Sequence, residues 1–439
     1  MKRLLLIDDS FENKVSYYLL ACFLSSLPFD HFYSEWILII FCIHTMIHFK
    51  RNKFIALKNN KVWIIASLFL LTVAAILFSD YKADGVKDIN HQLGILLFPV
   101  SLSISNLDLN KYKLPLLEIF GLSCTIAILY LFIYAGRVIH YFHLPYSSIT
   151  EDTFVNQNFS APIGTHATYL SMYAALSLSI FLCLCLKRKP SENYGYFFCV
   201  IILFAGLLQL SSRSVAISVA AIIAFAIPSL LLHGRQRLIF SMACMAFFLS
   251  AILVIDQTGF LKKRYITDFK NDLSDYTNPG DHLESRMRRW QLEWQLIKQS
   301  PLIGYGSGAE INILKNKYFE NKFYKPYLVE LNAHSQYLSF LLRAGIPGLL
   351  IFLYVLYRGF SEALKRKDFI FLSFMIIFCV VSVSENILDL NKGVFFYAFF
   401  FSLFFLPVAQ ESKVERHAKF LKQPPVGLNR LSVKHLGQQ

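Results

Sequence analysis

The sequence predicts an all-α integral membrane protein of about twelve transmembrane helices, with one large helical loop between the ninth and tenth. Three observations predict it. Apolar runs long enough to cross or nearly cross a bilayer recur along almost the whole chain. Of the 439 residues, 55% are hydrophobic and only 16% charged, with a mean hydropathy of +0.46, whereas a soluble domain carries about 25% charged residues. Outside the large loop, the lysines and arginines also fall mostly in alternate segments, as the positive-inside rule requires. The 42 phenylalanines fit lipid-facing helices under this reading.

A spanning helix needs about 20 mostly apolar residues. Runs of that kind centre on residues 15–29, 35–49, 62–79, 92–105, 114–135, 164–186, 195–211, 214–232, 238–255, 335–357, 369–384 and 393–408. The first 14 residues are mixed and charged, and no small-residue cleavage site follows the first run, so a cleaved leader is not expected. This divides the chain into nine helices over 1–255, a loop subdomain over 256–334, three helices over 335–408 and a basic tail over 409–439. The tail contains Pro424 and Pro425 and suits a flexible segment near anionic headgroups.

With the N-terminus inside, the cytoplasmic segments hold 25 Lys/Arg and the short outer loops only five: Lys82, Lys87, Arg137, Arg213 and Lys392. The reverse orientation would invert that bias. Both termini are therefore expected in the cytoplasm and the large loop outside. The net charge of +14 then reports topology rather than nucleic-acid binding. All eight cysteines lie in apolar runs and read as small buried hydrophobes, not as a disulfide framework or zinc site.

The loop holds 12 Lys/Arg and 10 Asp/Glu. Its clearest predicted element is an amphipathic helix over 281–299. Asp281 and Glu284 form a capping-box-like start, and Leu283, Met287, Trp290, Trp294 and Ile297 form one apolar face. Ser300 and Pro301 end it, and the glycines at 304, 306 and 308 predict a flexible turn able to offer N–H groups to a phosphate. That run follows no strand, so it is not a dinucleotide fingerprint.

Three arginines sit on this helix. Glu284 precedes Arg288 by four residues and Arg289 precedes Glu293 by four, both favourable pairings. Arg286 has no local carboxylate and is the arginine most available to an anionic ligand. His334 stands where the loop re-enters the bilayer, and an imidazole can take a proton from a hydroxyl at neutral pH. Arg213, in a short outer turn, is costly unless it pairs or lines a wet cavity. Arg343 lies a few turns deeper than His334, with Glu385 as its expected partner if it is not on a phosphate. His166 opens a helix and is expected to face the same outer cavity. His140 and His143 lack a third ligand of clear spacing for a metal.

At these residues the chain resembles the O-antigen ligase family of bacterial envelope glycosyltransferases. The resemblance rests on Ser211-Ser212-Arg213-Ser214, Ser285-Arg286-Met287-Arg288-Arg289-Trp290, Ser300-Pro301-Leu302-Ile303-Gly304-Tyr305-Gly306, His334-Ser335-Gln336-Tyr337-Leu338 and Gly345-Ile346-Pro347-Gly348. It covers roughly residues 200–360, and the order of the motifs is more specific than any one of them. Ser335 departs from the Asn often found beside the histidine.

The resemblance implies a GT-C-type, glycosyltransferase-like membrane fold in the bacterial inner membrane. It implies a donor glycan on undecaprenyl pyrophosphate, transferred on the periplasmic side to a sugar hydroxyl of lipid A-core. No nucleotide or metal is then needed, because the lipid-linked donor is already activated. His334 would be the base, Arg286 and Arg213 would bind pyrophosphate, and Arg288, Arg289, Arg343 and His166 would complete the substrate contacts. An O-antigen polymerase or protein O-oligosaccharyltransferase would use the same donor. A lipid-linked sugar transporter would instead place its charges near the midplane on broken helices, and here they gather on the outer side.

Overall fold

The computed structural model describes residues 6–29, 31–187, 193–257, 266–267, 270 and 285–407, and within these the regular structure is helical, with no strand. Each predicted apolar run overlaps a helix: α1 (Phe11–Ser26), α2 (His31–Ile47), α3 (Asn60–Ala75), α5 (Gly94–Ile104), α6 (Leu109–Tyr141), α7 (Ala167–Lys187), α8 (Tyr194–Leu210), α9 (Arg213–Leu230), α10 (Gly234–Gln257), α13 (Gln336–Lys365), α14 (Phe369–Val381) and α15 (Asn391–Phe405). A polar helix not anticipated from sequence, α4 (Lys82–Gln92), precedes α5. The loop contributes α11 (Arg286–Ile297) and α12 (Ala309–Glu320).

Side chains cap several helix starts. Asn59 accepts from the Lys61 N–H, Asp108 from those of Asn110 and Lys111, and Asp368 from that of Phe371. Among the described residues, five helices are long and apolar enough to cross a membrane: Asn60–Phe78, Leu109–Tyr141, Ala167–Lys187, Arg213–Leu230 and Gln336–Lys365. Four more apolar helices are shorter, including α14 and α15. Helix α5 has 11 residues, which at 1.5 Å per residue reaches roughly 16 Å, about half a hydrocarbon core.

Phe197, Phe198 and Phe204 on α8 and Phe225 on α9 are exposed, in keeping with the expectation, but phenylalanine in α14 and α15 is used differently. Rather than facing lipid, the aromatic side chains of α14 and α15 form the interior. Phe396, Phe399, Phe400, Phe401, Phe404 and Phe405 have no exposed surface. Phe371 stacks on Phe404 at 5.3 Å between ring centroids, and Phe374 on Phe378 at 6.2 Å. The rings interlock as offset and edge contacts, a packing geometry that adds to area burial.

The described part of the loop builds a second core. Leu292 and Leu296 of α11 and Leu314 and Tyr318 of α12 are buried with Phe323 against Leu341 and Leu342 of α13. Two expectations about α11 need correction. Ser285 is its N-cap, its hydroxyl accepting from the Arg288 N–H at 3.4 Å; Asp281, Leu283 and Glu284 lie outside the described residues, as does the tail over 409–439. The buried face consists of Arg289, Leu292, Glu293, Leu296 and Ile297, while Trp294 is exposed. Of the expected stripe, Ile297 is buried and Trp290 packs against this core, but hydropathy could not place Arg289, which donates to the Asn332 carbonyl, or Glu293 on the buried face.

The glycine-rich turn is pinned rather than flexible. Tyr305 and Gly306 donate their N–H groups to the carbonyls of Leu342 and Arg343, and Ile346 donates to that of Pro301. This brings the turn against a kink in α13 at Gly345, whose φ is +63°. A Cβ there would stand 2.3 Å from the Leu302 carbonyl oxygen, and one at Gly304 2.5 Å from that of Leu342. Two left-handed glycines thus allow two backbones to meet where no other side chain fits.

Candidate functional site

The site is assembled from segments far apart in sequence. His334 ends the loop, one residue before the Ser335 N-cap of α13. Its backbone is left-handed, with φ of +53°, an uncommon conformation for a residue with a side chain. Two amide side chains hold it there. Asn332 Oδ1 accepts from the His334 N–H at 3.1 Å, and Asn386 Oδ1 accepts from the Ser335 N–H at 2.7 Å.

The imidazole Nδ1 of His334 lies 2.9 Å from Oε2 of Glu385, in the turn between α14 and α15. The other Glu385 oxygen is 3.6 Å from Nη2 of Arg286. Burial pushes the Glu385 carboxyl up, but the hydrogen bond and charge of His334, then the charges of Arg286 and His166, outweigh it and leave it below the usual carboxylate range. An ionised Glu385 only accepts, so Nδ1 of His334 is the donor, and in the neutral imidazole Nε2 is the nitrogen left to accept a proton. A carboxylate that fixes the tautomer of a histidine is the arrangement a general base requires.

Behind this pair stands a buried ionic network. Glu310, in the first turn of α12, accepts from Asn386 Nδ2 at 2.9 Å, from the Ala333 N–H at 3.4 Å, from the Ser339 hydroxyl, and from Arg343 Nε at 2.8 Å. One loop carboxylate therefore braces the residue before His334 and the residue after Glu385. Arg343 also donates to Asp389 at 2.8 Å and lies 3.5 Å from Asp88 of α4. Glu385 is thus not the partner of Arg343, as expected from sequence. Three other carboxylates hold that guanidinium, because the kink at Gly345 and the pinned turn bring α12 and α4 to α13.

A cavity of about 500 Å³ opens beside these groups. Its wall includes His334, Glu385 and Asp389, Asp84 and Asp88 of α4, Asn332, and His166 at the start of α7. Burial lowers the His166 imidazole below the usual histidine value, with Glu385 opposing and His334 reinforcing that shift. Its Nδ1 accepts from the Thr168 N–H at 3.3 Å, so it also closes the first turn of α7.

The predicted residues separate into groups. His334, His166 and Arg343 line the cavity. Arg286 adjoins it through Glu385, so a distant carboxylate supplies the partner that its own helix does not. Arg288 donates to the Asn321 carbonyl at 3.2 Å, with its guanidinium 5.5 Å from the centre of the Phe323 ring. Arg289 is 3% exposed and donates to the Asn332 carbonyl at 3.2 Å. Both act as struts between loop segments. Arg213 begins α9 half-buried, outside the cavity lining.

Nor are the glycine N–H groups open to a phosphate: that of Gly308 goes to Asp88 at 2.8 Å. Sequence reasoning missed Asp88, Glu310, Asn332, Asn386 and Asp389. A signal existed in Glu385-Asn386 and Asp389, a polar cluster in a short turn between two phenylalanine-rich runs.

No curated protein matches the chain at a significant level. Residues 197–353 match the family model described as O-antigen ligase.

Proposed function

We propose, from the premise that residues 197–353 belong to the O-antigen ligase family, that the chain transfers an undecaprenyl-pyrophosphate-linked glycan to a sugar hydroxyl of lipid A-core. The observation that carries this reading is the His334–Glu385 pair with Arg286 on the far side of the same carboxylate. Nε2 of His334 removes the proton from the acceptor hydroxyl. The oxygen attacks the anomeric carbon as its bond to the pyrophosphate oxygen breaks, and the configuration inverts. The leaving pyrophosphate takes the bonding electrons, and Arg286, with Arg213, stabilises that charge through guanidinium forks. The donor brings its own activation, so the reaction needs no metal or nucleotide.

The charge bias of the loops supports a topology of about twelve spans in the inner membrane, with both termini cytoplasmic and residues 256–334 forming a periplasmic subdomain. A reporter fused near residue 310 is expected to read periplasmic, and a cytoplasmic signal there would overturn the orientation. The same donor would serve a polymerase, and deletion decides between the two. Loss of a ligase leaves complete core-lipid A and accumulates long lipid-linked polymer, visible on a lipopolysaccharide gel; a core bearing one repeat unit points instead to the polymerase.

A further inference from the structure

The wall of the cavity is acidic where it meets solvent. Carboxylates outnumber permanently charged cations six to two among its lining residues. Most of them are answered locally. Asp84 pairs with Lys87 at 2.8 Å, Glu330 with Lys315, and Glu385 with His334 and Arg286. The exception surrounds Arg343, where one guanidinium serves Asp88, Asp389 and Glu310.

Accessibility sharpens that imbalance. The side chains of Arg343 and Glu310 are 9% and 1% exposed, while those of Asp88 and Asp389 retain 24% and 16%. The cation sits behind and two carboxylates face forward. Burial, and secondarily the charge of Asp389, push the Asp88 carboxyl above its usual range against the opposing pull of Arg343. Meanwhile Arg286 and Arg213, the groups assigned above to the pyrophosphate, do not line this cavity.

We propose that the cavity beside His334 receives the acceptor's reacting sugar as a neutral sugar or an amino sugar, and rejects a sugar carrying a carboxylate or phosphate, with Asp88 and Asp389 setting that preference. Hydroxyl and ammonium groups donate to the forward carboxylates. An anionic substituent meets like charge, while the two lining cations are already engaged, Lys87 by Asp84 and Arg343 by three carboxylates, which builds a penalty against the wrong substrate. At about 500 Å³, the cavity lies within the range of roughly 300–1,000 Å³ usual for small-ligand sites.

This inference rests on His334 marking the acceptor side, but its test needs no turnover. Saturation-transfer NMR on the full-length protein in lipid nanodiscs compares methyl glucoside, methyl glucosaminide and methyl glucuronide. The first two are expected to bind, and the glucuronide at least roughly tenfold more weakly, the scale of one charge-assisted contact. Asp88→Asn should narrow the ratio of glucosaminide to glucuronide binding by about the same factor. Should that variant fail to insert, the wild-type series decides alone. Glucuronide binding as tight as the glucoside, or no binding by any of the three, overturns the proposal. A glucuronide-tolerant protein that still ligates would leave the ligase reading standing. The expected ranking with full ligation by His334→Ala would remove that reading instead.

Discussion

Nδ1 of His334 is tied to Glu385 at 2.9 Å, and Glu385 is tied in turn to Arg286 at 3.6 Å. His334→Ala removes the proposed base, and transfer is expected to fall by about 10²–10⁴ with insertion intact. Glu385→Gln keeps the shape but not the charge that fixes the imidazole tautomer, and a loss of similar order is expected. Full ligation in either variant, measured on gels at matched membrane levels, would remove the residue from its role.

Glu385 also predicts a pH dependence. Its carboxyl titrates below the ordinary value of 4.5, so it stabilises the fold above that pH and loses the contribution as pH falls through its lower folded value. Glu293 behaves in the opposite sense. It has no exposed surface, and burial, then the charge of Glu310, hold it well above the ordinary range. Its contribution is present at low pH and lost as pH rises from 4.5 toward the folded value. Glu293→Gln is therefore expected to melt at a higher temperature than the wild type at pH 8, and a lower Tm there would contradict the assignment.

The glycine-rich turn and α13 hold one another in register. Gly345→Ala introduces a left-handed alanine whose Cβ would meet the Leu302 carbonyl at 2.3 Å. The conformation alone costs about 1–2 kcal/mol, and the clash adds to it, so a clear fall in detergent melting temperature is expected. Arg343→Met leaves Glu310, Asp389 and Asp88 without their guanidinium. Breaking a buried ion pair typically costs about 3–5 kcal/mol, and a variant that melts like the wild type would show that the network is not a structural brace. The position of α11 was legible from its sequence. Its inward face was not, because the burial of Arg289 and Glu293 follows from the packing of α11 on other segments, where Asn332 accepts from Arg289.

Across the whole molecule, α4, α7, the loop and the turn before α15 each supply part of one cavity wall. Glu310 links the loop, the turn before α15 and α13 through Ala333, Asn386 and Arg343. Glu310→Gln retains acceptance at one oxygen but not charge. It is expected to lower kcat more than it raises KM, with the acid limb of the pH–rate profile displaced, whereas loss of packing alone would leave that profile in place. The place of His334 at the end of the loop and the lack of a carboxylate partner for Arg286 on its own helix could be read in the sequence, because both are properties of residue order, whereas Arg213 lies outside the cavity lining. Asp88, Asn386 and Asp389 were not, since an acidic residue in a short loop looks like a solvated one until its neighbours are known.

Hydropathy determined by itself that the chain is built from apolar helices, because a run of about 20 apolar residues satisfies its own backbone and needs no partner to be recognised. Composition, however, could not distinguish phenylalanine facing lipid from phenylalanine packed on phenylalanine in α14 and α15, and only the tertiary structure decided it. The same holds for the partners of Arg286 and Arg343. A charge finds its counter-ion through space, and residues 286 and 385, or 343 and 88, become neighbours only when the helices that carry them pack together.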